Sequence, residues 1–253
     1  MRKWFARASG LVDSLKCSKI LLYRHEQKFS KAICVTGDTI PPFEAVAIVI
    51  ATFGLLLFGG AAFLVLFGYG PGSVLGELLV AVLPLGYLLA RKIDVRSYVS
   101  AGIKPKTILL GIAVGVALFF FDVLILNLLV AVFGTSQAVE ESNKIVTDLA
   151  SSSLGLVSIL ITPILAGVCE EFTFRGFLMN AIERKYSFVP ALLISSLAFG
   201  LFHPDPQFVY TIGAFLIGLM LGYVYHRWHS LAVSAAAHAT VDLIAVAITL
   251  LIR

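Results

Sequence analysis

The sequence predicts an all-α fold, a polytopic transmembrane helical bundle of about seven spans with its candidate catalytic core in the last four helices. Three observations predict it. Of 253 residues, 59% are hydrophobic and only 13% are charged, far below the charged quarter of an average soluble protein. Apolar runs able to cross, or nearly cross, a hydrocarbon core about 30 Å thick follow one another with short connections. Ionisable side chains then recur inside three of the last four runs, where each charge costs roughly 2.5 kcal/mol or more and marks a functional site by default.

Taken in order, residues 1–40 form a basic leader in which Arg2, Lys3, Arg7, Lys16, Lys19, Arg24, Lys28 and Lys31 alternate with apolar residues such as Trp4, Phe5 and Leu11. Such a segment suits an anionic membrane surface or a cytosolic tail. It lacks the uninterrupted apolar core and cleavage site of a signal peptide and is expected to stay on. Residues 41–253 then read as one transmembrane domain. Its spans fall at about 44–67, 73–90, 107–133, 153–182, 188–203, 207–225 and 229–251. Of the 19 Lys and Arg, all but Arg175, Lys144 and Arg253 fall before the first span or in alternate connections on the same side. The positive-inside rule therefore puts the amino terminus in the cytosol. The connection from Gly134 to Leu149, with Glu140, Glu141 and Asp148, is polar and is expected outside. Cys17, Cys34 and Cys169 make no disulfide framework or metal pair. No internal repeat is present, which weakens a transporter reading. Gly218 and Gly222 read as helix packing. His226 and His229 sit in an interfacial turn with Tyr223, Tyr225 and Trp228, where their spacing is incidental to metal binding.

The chain is organised around Cys169-Glu170-Glu171-Phe172-Thr173-Phe174-Arg175-Gly176, which interrupts the fourth apolar run. Membrane-compatible residues resume at Phe177-Leu178-Met179, and the first real exit is Glu183-Arg184-Lys185. Glu171 and Arg175 are four apart and can pair on one helix face, while Glu170 points about 100° away. Glu171 is thus expected to be held by Arg175, leaving Glu170 as the carboxylate free to act in chemistry.

A second element, Phe199-Gly200-Leu201-Phe202-His203, ends at Pro204-Asp205-Pro206, where prolines stop the helix. If the fourth and fifth helices form a hairpin about Tyr186-Ser187, Glu170 and His203 both stand about 24 Å from the turn and meet at one level. The third element, His238-Ala239-Thr240-Val241-Asp242, puts His238 and Asp242 on one face of the last helix. Flanking alanines leave that pair few local partners, so partners must come from another helix. A titratable carboxylate, two imidazoles and a pocket poor in bulk water suit hydrolysis without a covalent nucleophile.

Together Glu170-Glu171-x-x-x-Arg175, Phe199-x-x-x-His203 and His238-x-x-x-Asp242 resemble the signature of the CPBP family, the CAAX-protease and bacteriocin-processing membrane proteins. The resemblance covers about residues 145–250. Asp242 stands where the prenyl-protease branch has Asn. The resemblance implies intramembrane proteolysis of membrane-associated or prenylated (CAAX-type) proteins or peptides. It implies that Glu170 and His203 activate a water and that His238 and Asp242 orient the substrate carbonyl or stabilise the oxyanion. Glu171 and Arg175 would support the site. The expected partners are the lipid bilayer and a protein or peptide substrate, with no nucleic acid.

No cofactor is favoured. Zinc held by Glu170, His203 and His238 is the alternative, since two His and one carboxylate form a common catalytic zinc set. Two readings of other classes stay open: a non-catalytic membrane adaptor or self-immunity protein in which the cluster only stabilises the bundle, and a proton-coupled transporter, since buried Glu and His also relay protons.

Overall fold

The computed structural model describes residues 39–97 and 103–252. The expected surface role of the basic leader falls on residues outside these. Among the described residues the regular elements are helices: α1 (Pro42–Phe67), α2 (Tyr69–Ala90), α3 (Pro105–Phe133), α4 (Gln137–Leu149), α5 (Ser153–Lys185), α6 (Phe188–Leu201), α7 (Val209–Trp228) and α8 (Leu231–Leu251). All but α4 and α6 are long and apolar enough to cross a membrane, and α6 is a shorter apolar helix. The chain is an integral, multi-pass membrane protein.

Local chemistry sets the helix ends. Pro42 and Pro105 start α1 and α3 at the position where a missing N–H costs nothing. Gly68, at φ 74°, makes the turn from α1 to α2, a conformation that side chains with a Cβ rarely adopt. At the far end of this hairpin, the Tyr87 hydroxyl donates to the Glu44 carboxylate, and Arg91 Nη1 stands 3.6 Å from the same group.

Two segments differ from the sequence expectation. The polar connection 134–149 contains a helix, α4, because the Ser136 hydroxyl accepts the Val139 N–H and caps it. A second serine, Ser152, caps α5 through the Gly155 N–H. The fifth span is also shorter than expected. Its helix α6 has 14 residues, about 21 Å, and stops before the Pro204-Asp205-Pro206 turn, so His203 lies in a loop within the bundle.

Packing of α8 explains its alanine run. The helix lies between α3 and α5, and both approach it through glycines. A Cβ on Gly115 would stand 2.5 Å from the Ala237 carbonyl oxygen, and one on Gly167 would stand 2.6 Å from that of Ala235. Backbone-to-backbone approach of this kind is how helices associate where water supplies no hydrophobic drive. Gly115→Ala is expected to push α3 from α8 and to cost about 1–3 kcal/mol, read as a lower Tm of the purified protein in detergent.

Helices α6 and α7 pack closely as well, and α2 lies along α5. The Thr173 hydroxyl donates to the Val80 carbonyl at 2.9 Å. Nearer the helix starts, Gly70 abuts Ser158, whose Oγ would be 3.0 Å from a Cβ there. Both contacts run in the same order along the two chains, so α2 and α5 are parallel.

Candidate active site

The site begins where α5 changes its winding. Ser153–Glu171 is α-helical, and Phe172–Met179 follows as a π segment without a break in the rod. π windings are rare and concentrate at functional positions. This one is completely surrounded: Phe174, Arg175 and Phe177 are each 0% exposed. Its carbonyls take additional donors, since the Ser195 hydroxyl donates to Phe174 at 2.8 Å and Asn180 Nδ2 donates to Gly176 at 3.0 Å. Glu170 and Glu171 stand at the junction of the two windings.

Arg175 is the tie of this region. Its Nη1 is 2.6 Å from Glu171 Oε1, Nη2 donates to the Gly218 carbonyl of α7 at 3.0 Å, and the guanidinium lies over the Phe199 ring of α6 at 4.5 Å. A buried charge survives at membrane depth only when paired and hydrogen-bonded in this way. Glu171 does more than hold Arg175. Its Oε1 is also 3.3 Å from His238 Nδ1, so it couples α5 to α8.

Phe199 joins the pieces. Its ring meets Phe174 edge-on at 5.2 Å, His203 at 4.8 Å and His238 at 5.6 Å. These contacts fix both imidazoles against one apolar plate.

His203 follows α6 in the loop 202–208. Its Nδ1 is 2.8 Å from the Phe199 carbonyl, which can only accept, so Nδ1 carries the hydrogen and Nε2 of the neutral ring presents a lone pair. Nε2 faces Glu170 Oε2 at 4.0 Å. The loop is held from α7: the Thr211 hydroxyl donates to the His203 carbonyl at 2.6 Å, and the buried Asp205 accepts the Tyr210 N–H at 2.9 Å. Tyr210 stands perpendicular to the His203 ring at 5.2 Å.

Glu170 is 8% exposed, and its Oε2 is buried with no hydrogen-bond partner among the described residues. His238 has a carboxylate at each ring nitrogen, Glu171 at 3.3 Å from Nδ1 and Asp242 at 3.5 Å from Nε2. Asp242 also interacts electrostatically with Glu170 and His203. The sequence-predicted residues Glu170, His203, His238 and Asp242 therefore occupy one neighbourhood, with Glu171, Arg175 and Phe199 behind them.

Sequence reasoning missed two carboxylates. Glu77 of α2 interacts electrostatically with Glu170, Asp242 and His238, and Asp122 of α3 interacts with Asp242. The signal was present in each case as a single acidic residue inside an otherwise apolar span.

The candidate donors stand farther apart here than a bound zinc would hold them. Ligand atoms on a tetrahedral zinc lie roughly 3.3 Å apart at bond lengths of about 2.0–2.1 Å, whereas Glu170 Oε2 and His203 Nε2 are 4.0 Å apart. Both His238 nitrogens are turned to other carboxylates. Among the described residues no group of three His, Cys, Asp or Glu is arranged to hold a metal.

Comparison with known proteins bears on this arrangement. Residues 152–244 match the model of the family described as type II CAAX prenyl endopeptidase Rce1-like. No curated protein and no solved structure matches the chain. The matched segment runs from the cap of α5 into α8 and contains all three sequence elements, from Glu170 through His203 to Asp242. This match, which spans residues 152–244 and not the first half of the chain, is consistent with a CPBP family intramembrane protease.

Proposed function

We propose that the chain hydrolyses peptide bonds of membrane-associated or prenylated CAAX-type proteins by means of a water activated by Glu170 and His203. The observation that carries this is the facing pair of acceptors, Glu170 Oε2 and His203 Nε2, 4.0 Å apart. Two acceptors at that spacing suit one water about 2.8 Å from each, donating a hydrogen to either side. Its oxygen lone pair is then directed away from both groups and toward a substrate carbonyl.

As the water oxygen attacks the carbonyl carbon, Glu170 takes its proton. The Phe199 carbonyl keeps the His203 ring in the tautomer that accepts at Nε2. His238 supports charge on the carbonyl oxygen. At 3.5 Å its contact with Asp242 is longer than an ordinary hydrogen bond, so the Nε2–H is left to donate to a developing oxyanion while Asp242 balances charge on the ring. Glu171 and Arg175 keep α5, α7 and α8 in register during this step. No step passes through a metal. The positive-inside bias of the basic connections supports a cytosolic amino terminus and a cytosolic Glu183–Lys185 end of α5.

The test is cleavage of a farnesylated CAAX peptide by the purified protein in lipid nanodiscs, before and after exhaustive dialysis against a chelator. We expect cleavage in both samples with substoichiometric zinc by elemental analysis. Loss of activity restored by one equivalent of zinc would overturn the metal-free step, and failure to cleave any membrane-associated peptide would overturn the hydrolytic reading.

A further inference from the structure

Glu77 lies outside the matched segment, on a helix with no role in the reaction described above. Its placement is nevertheless determined by two contacts between parallel helices. Val80 and Thr173 are joined by a hydrogen bond of 2.9 Å, and Glu77 and Glu170 each stand three residues before their partner in that contact. Both are therefore about 4.5 Å along the helix from the same pin. The Gly70–Ser158 contact keeps α2 against α5 on the other side of Glu77. Spacings of three and seven residues put Glu77 on the same face of α2 as Val80 and Gly70, the face turned to α5.

Two orphaned atoms coincide with this level. Glu77 Oε2 and Glu170 Oε2 are both buried without a hydrogen-bond partner among the described residues. Around Glu77 stand Glu170 and Cys169 of α5, His238 and Asp242 of α8, and Tyr210 of α7, all in electrostatic reach. Arg175, the arginine of the cluster, is committed to Glu171 and the Gly218 carbonyl. Two neighbouring carboxyl groups with unpartnered oxygens and no cation between them are suited to share one proton, which Glu170 as the base leaves to Glu77.

We propose that Glu77 is the general acid of the reaction, touching the leaving nitrogen and donating its proton as the C–N bond breaks. This rests on the hydrolytic reading of Glu170 given above. The protons balance. Glu170 takes one from the attacking water, whose remaining hydroxyl becomes part of the new carboxyl group. The tetrahedral intermediate collapses, electrons of the C–N bond move to nitrogen, and Glu77 supplies the proton that makes the free amine. Glu170 then returns its proton to Glu77, and both groups regain their starting states with one water consumed.

An amide needs that proton, whereas an ester with a good leaving group departs without it. The experiment therefore measures turnover of a farnesylated peptide and of the matching depsipeptide, with an activated ester at the scissile position, on each of wild type, Glu77→Gln, Glu77→Asp and Glu170→Gln. Within one sample the amide-to-ester ratio does not depend on how much protein is folded. For Glu77→Gln we expect a loss of about 100-fold in amide kcat with KM unchanged, and less than a threefold loss for the ester. Glu77→Asp, which keeps an acid but draws it back by one methylene, should lower the ratio in the same direction by a smaller factor and serves if the Gln variant does not fold. Glu170→Gln should lose both activities. Equal losses of amide and ester in both Glu77 variants would overturn the assignment and leave Glu77 a packing residue. Undiminished amide turnover in Glu170→Gln would instead sink the hydrolytic reading on which the proposal rests.

Discussion

Glu170→Gln is expected to abolish peptide cleavage, by about a thousandfold or more in kcat, while leaving Tm within a degree or two of wild type. A general base contributes about 10²–10⁴-fold, and here the same group also positions the water. The small stability effect follows from its surroundings. Glu170 makes no ion pair with Arg175, its nearest ring nitrogen is at 4.0 Å, and its Oε2 lacks a hydrogen-bond partner. Removing the charge takes no partner away from a buried cation. Cleavage of the farnesylated peptide and thermal melting on the same preparations check this. If Glu170→Gln unfolds the protein as badly as loss of Arg175 does, the cluster is structural and the adaptor reading takes precedence.

The second large effect is on stability. Arg175→Met should destabilise the bundle by about 3–5 kcal/mol, seen as a fall in Tm of roughly 10 °C. Arg175 and Glu171 are both 0% exposed, and their 2.6 Å contact is the main compensation for two buried charges. With the guanidinium gone, Glu171 keeps only His238 and the Ser234 side chain, neither of them a permanent cation, and the Gly218 carbonyl loses the guanidinium as a donor. The double variant Glu171→Gln/Arg175→Met should recover part of the loss, since removing both charges leaves no ion stranded. A Tm equal to wild type in Arg175→Met would show that the pair is not what holds α5, α6 and α7 together. Since Glu171 also contacts His238, Glu171→Gln should reduce activity as well as stability, and its activity loss should remain after correction for the folded fraction.

How far these expectations were legible in the chain differs from residue to residue. The Glu171–Arg175 pair follows from a spacing of four on one rod, and Glu170 falls on a different face, about 100° away, for the same reason. Their separation survives the change to π winding because both residues fall within one turn of the junction. The meeting of Glu170 and His203 follows from counting equal lengths along a hairpin, which needs only a fixed rise per residue and a tight turn at Tyr186–Ser187. By contrast α4 was hidden because its polar face resembles a loop in composition; the Ser136 cap was the available sign.

What the sequence by itself determined was therefore everything local to one helix or one hairpin: the membrane spans, the charged knot, its internal pairing and the level of His203. Apolar length and residue spacing specify these without reference to distant parts of the chain. Only the tertiary structure decided which carboxylate faces each nitrogen of His238, that Asp205 and Thr211 hold the His203 loop, and that Glu77 joins the cluster from a helix 93 residues away from Glu170. Those facts depend on which helices lie side by side. In a bilayer that choice is made by close backbone approach, at Gly115, Gly167 and the Val80–Thr173 contact, because every apolar helix face is equally content against lipid.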